Sequence, residues 1–308
     1  MSEVEAYTCG LCGGSEARPF LRAADRYRPG KGEYTLVQCA GCGLISLHPV
    51  PGRRETVASY PLDVLNPLFE FGRRRSSILE RAYAFFHPYS VRWRQRQVEE
   101  AAGVGRLLDV GCGTGDFLYA MRQRLWEVAG VEDVPHLAEF ARHTLGLKIF
   151  PDLASLAGRY PRHFDVITFW HTFDRYPDLH ETLRRTLPLL HSRGAILLGL
   201  SNPRSVDFWF YRRYWASLDV PRRLYHLTPR HVAALARRHG LQVEGTKVIP
   251  FDIYYNTFLS EKIFLEQKRI RSRVRGLFYL RGLLLGMIVH ILSVSGNGPG
   301  LLYCLRGK

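Results

Sequence analysis

Lysine is scarce in this chain of 308 residues: six of its 43 basic residues are lysine, so the formal net charge of +15 rests on arginine. Such an excess follows from composition as readily as from selection for a polyanionic partner. The N-terminal segment MSEVEAYT has neither the basic start nor the apolar centre of a secretory leader, so a cytoplasmic protein is expected. No run of about 20 apolar residues occurs either. The longest, residues 282–294 (GLLLGMIVHILSV), has 13, and lengthening it brings in Arg281, so a bilayer crossing is not expected. Internal repeats and low-complexity linkers are missing, which excludes solenoids and loosely tethered modules.

Cysteine is also sparse, with six in all, and without an export signal a disulfide framework is excluded. Four of the six form two pairs, Cys9-x2-Cys12 and Cys39-x2-Cys42, 26 residues apart, each followed by glycine (CGLCGG, CAGCGL). A redox dithiol needs one such pair; two at this spacing, with glycines that aim backbone N–H groups at thiolates, have the pattern of a zinc ribbon. The ribbon is expected over residues 1–52, with strands at 34–38 and 44–47 and His48-Pro-Val-Pro-Gly closing it. Cys112 and Cys304 are expected to be small buried apolar residues.

The most informative run is Leu107-Leu-Asp-Val-Gly-Cys-Gly-Thr-Gly-Asp116, a buried strand that turns through glycines onto a helix N-terminus, where free N–H groups can meet a ligand. A dinucleotide fingerprint is G-x-G-x-x-G; here the third glycine comes one position early, and Asp109 sits two before the first. Strand and helix patterns then alternate: strand 126–132, helix 135–145, strand 147–150, strand 164–170, helix 177–190, strand 194–200, helix 228–239, strand 241–250 and a final strand at 300–306. That order predicts an α/β, Rossmann-like, doubly wound and mostly parallel seven-stranded sheet over residues 105–308, preceded by the small ribbon. The ligand edge is then the carboxyl ends of the strands, where Asp109, Glu132, Asp152 and the segment after Trp170 fall.

Between ribbon and sheet, residues 66–100 have a helical pattern, and 53–104 are read as a helical linker or cap. Residues 201–281 hold 16 basic and six acidic side chains, and the basic stretch 262–275 contains one acid, Glu266. It leads into the apolar run, so 256–296 reads as a helical insertion. Two placements are open: against the sheet, or flat on a membrane surface as a peripheral contact through 262–294. The final strand is expected at the sheet edge.

The D-x-G-x-G-x-G loop resembles motif I of class I S-adenosylmethionine-dependent methyltransferases. With the cysteine pairs it resembles the branch of that class that carries an N-terminal zinc ribbon, through FDVITFWHTFD at 164–174, SNPRS at 201–205 and YWASLDVPRRLYHLTP at 214–229. The resemblance implies that Gly111, Gly113 and Gly115 meet the cofactor's amino-acid part, with Asp109 beside them and Trp170 against the cofactor. It implies Glu132 on the ribose, Asp152 on the adenine amine, and structural zinc on Cys9, Cys12, Cys39 and Cys42. The chain departs from the family pattern at Asp174-Arg175, where relatives read E-H, and at Pro221-Arg222-Arg223, where they read P-R-H. Methyl transfer to a hydroxyl needs a base. The candidates are His226, expected in a loop over the strand ends, then His171, Asp174 and Tyr225, with Tyr214 and Trp215 as pocket walls.

Three functions follow. One is O-methylation of a saccharide, isoprenoid or secondary-metabolite acceptor, small or lipid-linked. Another is an RNA methyltransferase that uses the ribbon, which the basic charge favours and the lack of an N/D-P-P-Y/F motif after strand four disfavours. The third is a non-catalytic cofactor-binding scaffold. The sequence carries no signal for oligomeric state.

Overall fold

The computed structural model describes residues 7–28, 30, 32–59, 78–270, 275–294 and 296–308. The first part of the helix expected over 66–100 lies outside the described residues.

The N-terminal part holds β1 (Ala17–Ala24), β2 (Glu33–Cys39) and β3 (Ile45–Leu47), then a short helix α1 (Arg53–Ala58). The sequence pattern missed β1: Pro19 breaks its register against β2, and little of it is buried. The long helix α2 (Ile78–Ala102) precedes β4 (Arg106–Val110), α3 (Asp116–Arg122), β5 (Glu127–Val131), α4 (Pro135–His143), β6 (Ile149–Phe150) and β7 (Phe164–Trp170). After these come α5 (Leu179–Thr186), β8 (Leu190–Ser201), α6 (Val206–Tyr211), β9 (Tyr225–His226), α7 (Pro229–Arg238) and β10 (Leu241–Val248). The chain ends with α8 (Pro250–Gln267), α9 (Arg275–Ser293) and β11 (Gly300–Gly307).

Seven strands form one sheet in the order β10-β11-β8-β7-β4-β5-β6. β6, β5, β4, β7 and β8 are parallel, and β11 runs antiparallel between β8 and β10. This is the Rossmann-like methyltransferase fold expected. One detail differs: β11 is an inner strand, not an edge. Leu301, Leu302, Tyr303 and Leu305 are all buried, and only an inner strand covers side chains on both faces. Order reverses between β4 and β7, and such a switch point opens a crevice at the carboxyl ends of the strands.

The smaller sheet has the order β1-β2-β3-β9. Its fourth strand comes from 225–226, inside the stretch read as part of the α/β unit, so the N-terminal part shares a strand with the rest. Leu36, Leu44 and Leu47 belong to the same buried cluster as Leu108, Ile167 and Leu198 of the large sheet. The insertion is a helical pair: α9 lies along α8 and touches α6.

Candidate active site

β4 runs into the glycine loop because its LLDV segment is buried and Gly111 then turns the chain at φ +78°. The amides of Gly111 and Cys112 donate to the Val131 carbonyl at 2.7 and 3.0 Å, which ties the loop to the end of β5. Gly115 caps α3 in a left-handed conformation, φ +80°, and a Cβ there would lie 2.4 Å from Leu147 Cδ1. Its role is close packing, and its amide donates to the Cys112 carbonyl. Gly113 differs: a Cβ there would meet nothing within 4 Å, because it faces open space.

That space is a cleft of about 230 Å³. Gly111, Gly113, Glu132, Leu137, Trp170 and His171 line it, with Thr56 and Val57 of α1 on the far side. The Glu132 carboxylate accepts from the amides of Gly113 (2.7 Å) and Val134 (2.9 Å). Burial, with the Asp133 carboxylate beside it, pushes its pKa up to about 7, and those two amides and Arg175 only partly offset this.

Trp170 packs edge-on against Phe117 and Trp93. His171 holds φ +57°, a conformation rare without glycine. Two contacts fix it: its amide donates to the Gly199 carbonyl (2.8 Å), and its carbonyl accepts from Arg175 Nε (2.8 Å). His171 Nε2 lies 3.2 Å from Asp252 Oδ2, in the first turn of α8. Nothing in the sequence singles out Asp252. The signal that could have found it is Gly300, where a Cβ would lie 1.7 Å from Asp252 Oδ2.

The remaining candidates lie elsewhere. Asp109 is buried behind the cleft and accepts from Thr168 Oγ1 at 2.7 Å; burial raises its pKa to about 7. Asp152, beyond the cleft lining, accepts from the Ser155 amide through Oδ1 at 2.8 Å. Asp174 is buried against Arg223, whose Nη1 is 3.2 Å from Oδ2. The Tyr225 hydroxyl donates to the Pro177 carbonyl at 2.6 Å, and burial pushes its pKa up to about 12.

His226 is not in a loop over the strand ends. It pairs with Ile45 across β9 and β3 and is 1% exposed, because the N-terminal sheet captures that segment. Neither ring nitrogen has a hydrogen-bond partner among the described residues, and burial beside Arg223 holds its pKa down to about 3. Trp215 is likewise buried, donating to Asp207 Oδ2 at 2.6 Å, and is not a pocket wall. Of the four candidate bases, His171 alone lines the cleft.

A second constellation lies in the N-terminal part. The sulfurs of Cys9, Cys12, Cys39 and Cys42 all fall within 4.8 Å of one another, with Cys9–Cys42 and Cys12–Cys39 at 3.6 Å. Sulfurs around a tetrahedral centre with bonds of about 2.3 Å stand roughly 3.8 Å apart, so the donor set fits a small zinc site. Burial alone would raise the Cys39 thiol; the amides of Cys42 and Gly41 outweigh it and bring it down to about 7.

A profile described as a methyltransferase domain matches residues 72–245. The ubiquinone biosynthesis O-methyltransferase of Xanthomonas euvesicatoria pv. vesicatoria (strain 85-10) is 29% identical over 170 residues, 51% of this chain and 70% of that protein. The protein of the same description from Bordetella avium (strain 197N) is 26% identical over 178 residues, 54% of this chain and 73% of its own. A solved geranyl diphosphate methyltransferase, in complex with GPP and sinefungin, aligns with a TM-score of 0.50 at 15% identity, covering 75% of this chain and 82% of its own. The profile match takes in the glycine loop, Glu132 and the Trp170–His171 edge together, and the chain therefore belongs to the methyltransferase-domain family, as an S-adenosylmethionine-dependent enzyme.

Proposed function

We propose that the enzyme methylates a hydroxyl of a small-molecule acceptor, a saccharide, isoprenoid or other secondary metabolite, free or lipid-linked, with His171 as the base. The observation that carries this is His171 on the cleft wall, with its Nε2 3.2 Å from Asp252 Oδ2. S-adenosylmethionine supplies a methyl group on a cationic sulfur, which leaves as a neutral thioether without an acid. The chain's task is alignment and removal of the acceptor proton. A carboxylate at His171 Nε2 favours the tautomer with its proton there, leaving the Nδ1 lone pair to take the hydroxyl proton as the oxygen attacks. His226 suits this poorly, since a pKa near 3 makes a weak base at neutral pH.

In the same reading Gly111 and Gly113 offer backbone to the cofactor's amino-acid part, and Glu132 accepts from its ribose hydroxyls. Asp152 keeps Oδ2 for the adenine amine, and Asp109 holds the loop through Thr168 without touching the ligand. The four cysteines hold one structural zinc. An O-methyl acceptor is supported by the curated relatives, which are named O-methyltransferases. RNA is disfavoured because Arg222 and Arg223, two of the arginines that give the chain its charge, are buried in ion pairs and unavailable to phosphates.

Incubating the enzyme with methyl-labelled cofactor and a panel of hydroxyl compounds tests the reading. An O-methylated product is expected, with His171→Ala slowing its formation roughly 100- to 10,000-fold at unchanged cofactor affinity. Near-normal turnover in that variant refutes the base assignment.

A further inference from the structure

The outer half of α9 is apolar apart from His290, and it is uncovered. Leu277, Leu280, Leu284, Met287, Ile288 and Ile291 recur at helical spacing and are between 44% and 69% exposed. The opposite side of the helix is firmly seated. Leu285, Val289 and Ser293 are buried, and a Cβ at Gly282 or Gly286 would lie within 3 Å of Glu261 or Tyr254 of α8. Arg281, on the same side, is paired with the buried Glu261 at 2.8 Å. α9 is long and apolar enough to cross a membrane, yet a helix held along one side by the folded protein cannot be surrounded by lipid. It can only lie at a surface.

The charge beside this face is mostly positive, since the exposed Glu266 has Lys262 4.0 Å away. Residues 268–294 contain no acidic side chain, and Lys268 and Arg269 are exposed at the end of α8. On α6, which touches α9, Trp209 and Phe210 are half exposed, with Arg212 stacked 4.1 Å over the Trp209 ring. A convex apolar helix flanked by cations and an exposed tryptophan matches the headgroup boundary of an anionic bilayer, where cations meet phosphates and indoles sit between water and hydrocarbon. A second copy of this chain would bring the same cations against each other.

We propose that the outer face of α9, with Lys268 and Arg269 at the end of α8 and Trp209 beside it, docks the enzyme on an anionic lipid surface. The docking is peripheral and reversible. It does not depend on the identity of the acceptor, but α8 carries both Asp252, the partner of cleft-lining His171, and the seat of α9, so that pair and the docked face share one element.

Sedimentation with vesicles of phosphatidylcholine, alone or mixed with phosphatidylglycerol, tests this on the full chain. Binding to the mixed vesicles at low salt is expected, lost with added salt and weak on phosphatidylcholine alone. Lys268→Gln with Arg269→Gln should lower the partition coefficient about 25-fold, roughly fivefold per cation. Leu284→Glu with Ile288→Glu should abolish binding. All variants are checked for fold by unchanged binding of S-adenosylhomocysteine, which also separates failure here from failure of the catalytic reading. Sedimentation velocity supplies the opposing outcome. No binding to anionic vesicles at low salt, or a stable dimer that Ile288→Glu splits, overturns the proposal.

Discussion

Glu132 sets a pH dependence on cofactor binding that needs no knowledge of the acceptor. In the free protein its carboxyl has a pKa near 7, because burial and Asp133 outweigh the two amides it accepts from. Ribose hydroxyls that donate to it favour the carboxylate, so binding releases a proton wherever the free protein holds one. The direction follows: affinity rises with pH up to about 7 and then levels. With a free-state pKa near 7, about nine-tenths of the enzyme is ionised at pH 8 and about one-tenth at pH 6, so Kd should weaken roughly tenfold between them. Calorimetric titration with S-adenosylhomocysteine in buffers of different ionisation enthalpy measures both Kd and the proton released. Glu132→Gln should remove the pH dependence and weaken binding by about 1–3 kcal/mol, the range for a lost hydrogen bond to a charged group. A Kd that is flat from pH 6 to 8 in the wild type, or an unchanged Kd in the variant, would show that Glu132 does not meet the ligand.

The purified protein should contain one zinc per chain by elemental analysis, and Cys39→Ser should lose it while the large sheet stays folded. Hydrogen exchange should then rise in β2 and β3 and also at 225–226, whose strand pairs with β3. Gly113→Ala should weaken S-adenosylhomocysteine binding while costing only the strain of its φ of +59°, whereas Gly115→Ala, with a strained φ and a Cβ 2.4 Å from Leu147 Cδ1, should lower stability by about 1–3 kcal/mol more; equal stability losses in the two would contradict the cleft geometry. Asp109, raised to about 7 by burial, holds a proton in the folded state that it lacks when unfolded between about pH 4 and 7, so stability falls as pH rises through that window. Denaturant unfolding of Asp109→Asn, which keeps an acceptor for Thr168, should show that slope reduced and stability at pH 8 raised by up to about 4 kcal/mol.

The large sheet was legible because its signals are local. The β7 bounds, Phe164–Trp170, were readable from a β-branched and aromatic run broken only by Asp165, and the glycine spacing pointed to the loop that faces the cleft. What escaped depends on distant chain. β9 is two residues long and exists only because β3 offers it an edge, so no local pattern marks it, and His226 was expected in a loop for that reason. β11 read as an edge because a helical pair separates it from β10 in sequence, hiding the antiparallel pairing across the insertion. Asp252 joins His171 across 81 positions, a distance over which side-chain chemistry alone gives no pairing rule.

Arg175 and Arg223 stand where the family that the sequence resembles reads histidine, and neither can supply the base that the proposed reaction needs. A guanidinium stays protonated at any working pH, so Arg175 and Arg223 cannot act as bases. Both are engaged: Arg223 lies 3.2 Å from Asp174, and Arg175 Nη2 donates to Asp219 at 3.1 Å. Asp219 also accepts from Arg222 (2.9 Å) and forms an ion pair with Arg26 (Nε 3.1 Å away), and Arg222 reaches Asp25 (2.7 Å), so buried charge links the N-terminal sheet to the cleft. Removing one partner from such a set costs about 3–5 kcal/mol, because the others stay buried without compensation. The same Arg175 donates through Nε to the carbonyl of His171, whose backbone sits at a φ that histidine seldom adopts. A neutral histidine at position 175 has no fork with which to hold Asp219 and that carbonyl at once. On the reading proposed above, Arg175 thus holds the backbone of His171, which lines the cleft with Asp252 beside its Nε2.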